Sequence, residues 1–187
     1  MYMESMNPVL VIVAPNFEEL ELTAPVDIMR RLGIPVVLAG LNALEVTGAH
    51  GITLKADMLM ADVKPADYSG IVLPGGPASW TLRDTPAVLE LVREMHAAGK
   101  LVGAICAAPL ALEAAGVISG RRVTCWPGVA SELTSPAEVT SCATETDGNI
   151  VTGRGPGAAM EFGFALASYC GLAAEVAEER AGFCLPY

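Results

Sequence analysis

Histidine is almost missing from this chain. Its 187 residues hold two, His50 and His96, so any mechanism that needs an imidazole is confined to them. Basic residues are scarce as well. Eleven Lys and Arg stand against 21 Asp and Glu, a formal net charge of -10, and the pI is about 4.6. That balance leaves no electrostatic footprint for nucleic acid and no basic face that seeks a membrane. Paired cysteines are missing too. Cys106, Cys125, Cys142, Cys170 and Cys184 are odd in number, and no two stand in C-x-x-C spacing. This argues against a disulfide framework or a zinc site and for a reducing, cytoplasmic setting. An uninterrupted hydrophobic run is also lacking, although mean hydropathy is +0.47. The longest apolar stretch, Leu101 to Ile118, contains Pro109 and Glu113, which suits a buried strand–turn–helix better than a spanning helix. The opening "MYMESMNP" has no basic n-region, so neither signal peptide nor anchor is expected. With no repeat, linker or low-complexity tract, residues 1–187 are expected to form one domain.

What is present alternates between two periodicities. "PVLVIVAP" (residues 8–15) predicts a buried parallel strand. "NFEELELTAPVDIMRRLG" predicts a helix with Asn16 as N-cap, acids in the first turn, a kink at Pro25 and Gly33 as the stop. "IPVVLAG" reads as a second strand and "GITLKAD" as a polar strand near a sheet edge. "YSGIVLPGG" is a buried strand running into a glycine turn. "TPAVLELVREMHAAGK" is an amphipathic helix with Thr85 as N-cap, and it carries His96 on its surface. "LVGAI" is a strand, followed by Cys106 and a helix from about Pro109. "RRVTCWP" is a strand, and "SCATETDGNIVTG" is a hairpin turning at Asp147-Gly148. "RGPGAAMEFGFALASYCG" is a helix closed by Gly171. Such alternation predicts an α/β fold with a mostly parallel sheet. Ligands of such sheets bind beyond the carboxyl ends of the strands, and Glu21, Gly76, Cys106 and Trp126 all fall there.

"GAICAAP" (residues 103–109) places Cys106 between a strand and a helix, among alanines. Small neighbours allow the tight turn of a nucleophile elbow. The helix N-terminus favours a thiolate, and nearby backbone N–H groups can hold an oxyanion. The competing reading is a buried, alanine-like thiol.

"GAICAAP", "VLPGG", "FEELELTAPVDIMRRLG" and "GRGPGAAMEF", in this order from about Val9 to beyond Phe164, resemble the ThiJ/PfpI superfamily. Within it they resemble the branch of the parkinsonism-associated deglycase and its bacterial relatives. The resemblance implies a flavodoxin-like three-layer α/β sandwich that forms a homodimer. It places the oxidation-sensitive nucleophile on Cys106 and the acid that hydrogen-bonds its sulfur on Glu21. The oxyanion donors fall on the N–H groups of Gly76 and Ala107. A carboxyl against a thiol cannot easily share two negative charges, so the pair is expected to hold one proton, as thiolate and neutral Glu21. The alternative for Glu21 is a solvated first-turn acid suited to the helix dipole. Trp126 stands where many relatives carry a histidine, and His50 falls near a site-lining arginine of relatives.

The implied activity is a cofactor-independent glyoxalase or deglycase without metal, acting on methylglyoxal-type α-oxoaldehydes or their glycation adducts. The alternative is a non-enzymatic redox sensor or stress-protective chaperone that works through oxidation of Cys106. "RGPG" lacks the lysine of a phosphate-binding loop and reads as a structural turn, with Arg154 open to a dimer role or an anionic ligand. Cys125, beside Trp126, is read as a strand-buried thiol in preference to an oxidation-responsive one.

Overall fold

Five consecutive apolar residues, Val9–Val13 (β1), are buried on both faces, as a strand covered by helices on either side must be. The computed structural model describes residues 6–183, so Cys184 and the opening residues 1–5 lie outside it. From β1 the chain enters helix α1 (Glu19–Arg31) and returns as β2 (Val36–Gly40). A small antiparallel ribbon follows, β3 (Glu45–Thr47) with β4 (Thr53–Lys55), and then the short β5 (Met58–Leu59). Next come β6 (Gly70–Leu73), α2 (Ala78–Arg83), α3 (Pro86–Ala97), β7 (Leu101–Ile105) and α4 (Pro109–Ala115). β8 (Arg122–Thr124) pairs in parallel with β9 (Glu138–Thr140) outside the main sheet. β10 (Thr144–Asp147) and β11 (Ile150–Gly153) form a hairpin, and α5 (Ala159–Ala167) and α6 (Ala173–Gly182) complete the order.

The main sheet runs β10-β11-β7-β6-β1-β2-β5. Every pairing in it is parallel except β10 with β11. Helices α1 and α5 pack on one face, and α2, α3 and α4 on the other. The result is the three-layer α/β sandwich with a mostly parallel sheet that the sequence implies. The carboxyl ends of β1, β6, β7 and β11 open onto one rim.

Several local readings are corrected by tertiary contacts. Asn16 does not cap α1. It adopts φ +65°, and its carbonyl accepts from Ala78 N–H at 3.1 Å, so the cap position passes to Glu18. Pro25 lies inside an unbroken α1. Its ring removes one helical hydrogen bond, but it is buried against α5 at Gly163. "GITLKAD" forms the separate β3–β4 ribbon and is not an edge strand of the main sheet. "RRVTCWP" likewise leaves the main sheet for the β8–β9 pair. The hairpin turns at Gly148-Asn149, because Asp147 pairs with Ile150; Gly148 at φ +61° suits a II′ turn. His96 is half-buried, and its Nδ1 is covered without a partner.

The C-terminal readings fare better. Gly33 ends α1 as expected, with Ile34 N–H donating to Met29 O at 2.9 Å in a Schellman pattern. Gly171, at φ +92°, interrupts the helix, after which α6 resumes. The helical stretch Pro156–Gly182 is long and apolar enough to cross a membrane by length and composition. Here it is broken at Gly171, and its first part packs on α1 and the sheet.

The α1–α5 contact depends on Gly163. A Cβ there would lie 2.8 Å from Pro25 Cα and 2.9 Å from Ile28 Cδ1, closer than side chains pack. Gly163→Ala is expected to lower stability by about 1–3 kcal/mol, read as a lower urea midpoint with an unchanged slope. An unaltered midpoint overturns the packing argument.

Candidate active site

The rim gathers side chains that are far apart in sequence. β7 ends at Ile105, and Cys106 turns the chain out of the sheet with φ +63°. A non-glycine residue in that region is strained and is held only by its surroundings. Here the holding contacts are two backbone hydrogen bonds. Cys106 N–H donates to Gly153 O at 2.9 Å, and Cys106 O accepts from Trp126 N–H at 2.8 Å. The elbow expected from "GAICAAP" is therefore present, and the thiol is only 8% exposed. The N–H groups of Gly76 and Ala107 both point at its sulfur. Gly76, at φ +85°, can present its N–H because the loop after β6 folds tightly over α1: Glu18 N–H donates to Gly75 O at 3.0 Å.

Glu21 reaches the same point from α1. It is completely buried, which rejects the solvated-acid alternative. Among the described residues neither carboxyl oxygen has a fully formed hydrogen bond; the Cys106 thiol and the Gly75 N–H approach it and favour its ionised form. Burial, with help from the Glu18 charge, raises its pKa from 4.5 to about 7 against those two partners. Burial and the Glu21 charge push the Cys106 thiol upward in turn, while the Gly76 and Ala107 N–H groups act in the opposite sense. Two negative charges are thus incompatible here, and a thiolate requires a protonated Glu21.

A pocket of about 380 Å³ lies over the sulfur, lined by Gly76, Pro77, Trp80, Cys106, Ala107, Trp126 and Pro156. Its surface is almost wholly apolar. Trp126, 45% exposed, forms one wall, as its place after β8 suggests. Trp80 belongs to none of the sequence motifs. Its signal is its position on the first turn of α2, four residues beyond Gly76.

His50 is not in this pocket. Its Nδ1 lies 2.9 Å from Glu19 Oε2 and 3.4 Å from Glu18 Oε2, and the ring is largely exposed. Glu19 is buried and also accepts from His50 N–H at 2.7 Å. Burial opposes its ionisation, but these hydrogen bonds prevail and hold it at about 2. The His50 imidazole is raised by the same hydrogen bond and by both acids. Ligand atoms of Glu18, Glu19 and His50 lie within 4.8 Å of one another, but Glu19 Oε1 already serves the His50 and Ile52 N–H groups. The described cysteines are free thiols, with Cys125 buried as read from sequence.

The buried Glu21 sets a pH dependence. Its folded pKa of about 7 exceeds the ordinary 4.5, so the folded state binds the proton more tightly. Stability falls as pH rises from about 4.5 to about 7, by at most about 3 kcal/mol. Glu21→Gln removes this cost. Its Tm is expected to exceed that of the parent at about pH 8 and to converge with it below about pH 4.5. A difference that does not change with pH overturns the assignment.

The model of the DJ-1/PfpI family matches residues 7–169. Protein dj-1beta of Drosophila melanogaster is 36% identical over 181 residues, covering 95% of this chain and 97% of that protein. Its crystal structure superposes with a TM-score of 0.92 at 34% identity, covering 98% of this chain and 100% of that chain. A Pyrococcus abyssi protein named as a deglycase is 34% identical over 150 residues, covering 80% of this chain and 90% of that protein. DJ-1 homolog B of Arabidopsis thaliana is 37% identical over 165 residues, and this chain spans 38% of that longer relative. The sandwich is the flavodoxin-like arrangement of these structures, and the chain belongs to the DJ-1/PfpI family.

Proposed function

We propose that the protein is a cofactor-independent enzyme that converts α-oxoaldehydes such as methylglyoxal, or the early adducts they form on amines, into hydroxy acids. One observation carries this reading. A buried carboxyl with no charge partner faces a thiol at which two backbone N–H groups are aimed. With the shared proton on Glu21, the Cys106 thiolate attacks the aldehyde carbon. The C–S bond forms, the carbonyl pair moves to oxygen, and the Gly76 and Ala107 N–H groups hold that oxyanion. Glu21 gives it the proton, leaving a hemithioacetal. The Glu21 carboxylate then takes the proton from the former aldehyde carbon, giving an enediolate. Glu21 returns that proton to the former ketone carbon, and the hemithioacetal hydroxyl proton passes to the former ketone oxygen as the C–S carbon becomes a carbonyl. The product is a thioester of a hydroxy acid. Water cleaves that thioester, releasing lactate and restoring the thiol. Trp80 and Trp126 make the pocket apolar, which strengthens each of these charge interactions. Among the described residues no imidazole lines it, so Glu21 serves every proton transfer.

The deglycase name of the Pyrococcus relative agrees with this reading. We also propose that the protein acts in the cytoplasm as a homodimer. Leu20 and Ile52, both more than half exposed, stand beside the rim on α1 and the β3–β4 ribbon, where Glu19 ties the two together. Leu20→Asp with Ile52→Asp is expected to give a monomer by sedimentation; a dimer of unchanged affinity rejects that face.

Lactate formed from methylglyoxal is the direct test. Cys106→Ser is expected to abolish it, and Glu21→Gln to slow it by about 10²–10⁴-fold. If no lactate forms while peroxide oxidises Cys106 rapidly, the enzyme reading falls and the redox-sensor alternative replaces it.

A further inference from the structure

Of the eight arginines in this acidic chain, seven are engaged through their guanidinium groups. Arg30 donates to Val36 O, Arg31 to Asp27, Arg83 to Asp84 and Arg93 to Ala115 O. Arg121 pairs with Asp147, Arg122 with Glu138 and Glu145, and Arg180 with Glu161. Arg154 is different. Its backbone N–H donates to Ala143 O, but its half-buried guanidinium has no acceptor among the described residues. In a protein with nearly twice as many acids as bases, a free and partly desolvated guanidinium is an unused anion receptor.

Its position connects it to Cys106. Gly153 pairs with Ile105 in the β11–β7 register, so Arg154 and Cys106 leave neighbouring strands side by side, about 5 Å apart in backbone. Arg154 lines a second pocket of about 430 Å³ with Ser141, Gly155 and Gly157, among others. Trp126 and Pro156 border this pocket and the Cys106 pocket alike. Among the described residues no acid lines it. On the further side Arg154 opens onto a groove with Glu138, but Arg122 holds that carboxylate at 3.2 Å. The Cys125 thiol beside Arg154 does not neutralise it, because burial raises that thiol.

We infer that Arg154 and its pocket form an anion subsite that binds the carboxylate or phosphate of a substrate whose electrophilic carbon sits on Cys106. The favoured substrates then carry an acid group a short chain away from the reacting carbonyl, with methylglyoxal as a truncated analogue. This deepens the reading of Cys106 as the reacting nucleophile and rests on it.

The test compares two electrophiles that alkylate thiols without turnover: N-ethylmaleimide, which is neutral, and N-maleoyl-β-alanine, which bears a carboxylate on a short tether. In each, sulfur adds across the ring double bond and a proton is taken up at the adjacent carbon. The rate ratio at Cys106, carboxylate over neutral probe, is measured by mass spectrometry in the parent, Arg154→Gln, Arg154→Lys and the exposed-charge control Lys64→Gln. Arg154→Gln is expected to lower the ratio about tenfold, the size of one charge-assisted hydrogen bond. Arg154→Lys keeps part of it and Lys64→Gln nearly all. A ratio that Arg154→Gln leaves unchanged overturns the subsite. So does a loss no larger than that in Lys64→Gln, which is the long-range field alone. An unchanged ratio accompanied by a shift to monomer also overturns it, and assigns Arg154 to an acid of a second copy. Succinate and inorganic phosphate, tested as competitors of the carboxylate probe, distinguish carboxylate from phosphate selectivity. A protein that makes no lactate but keeps the ratio retains the subsite and loses only the enzyme reading.

Discussion

A carboxyl group without a charge partner is held out of water against a thiol, and much of the rim is built to keep the two together. Glu21 arrives from α1, Cys106 from the end of β7, and Gly75 lies between them. A Cβ at Gly75 would run into Glu21 Oε2 and Cys106 Cβ. The glycine is therefore required by close approach rather than by turn geometry. Burial raises the acid, the acid's charge raises the thiol, and the pair settles the conflict by holding one proton. The same proton that removes the repulsion becomes the one available for transfer.

That arrangement is costly at several points. Cys106 occupies the left-handed region, Pro25 removes a bond from α1, and Glu21 carries the penalty of burial. Packing elsewhere offsets these terms. The main sheet is buried on both faces over β1, β6 and β7. Pro25 and Gly163 bring α1 close to α5, which fixes the helix that delivers Glu21. Glu19, two residues earlier, ties the β3–β4 ribbon to the start of α1 through His50 and Ile52. The stretch Glu18 to Glu21 thus serves two opposite purposes. Glu19 is held ionised by hydrogen bonds and supports structure, while burial raises Glu21, which carries the proposed proton transfers.

The pocket above the sulfur is apolar on nearly every side, and the cationic group nearest to it by strand register lies just past the Trp126–Pro156 edge. Neutral walls over a reacting centre strengthen its internal charge interactions. A separate positive group beyond the wall can select substrates without disturbing the Glu21–Cys106 proton. This division of labour is what the proposed use of one nucleophile for a small aldehyde and a larger acidic substrate requires.

Sequence by itself determined the alternation of strands and helices, the parallel sheet and the place of Cys106. Those follow from local periodicity and from small residues at a strand–helix junction, which act over a few neighbours. The motif order likewise marked Glu21, Gly76, Ala107 and Trp126. Tertiary structure decided the rest. Asn16 gave up its cap because its carbonyl was needed by Ala78. The "GITLKAD" and "RRVTCWP" segments left the main sheet for pairings of their own. His50 turned to Glu19 and away from the thiol, and Trp80 joined the pocket from α2. Whether an acid is solvated or buried, and whether an arginine is paired or free, depends on which surfaces meet across the fold. No local pattern carries that information, because burial is a property of contacts between segments distant in the chain.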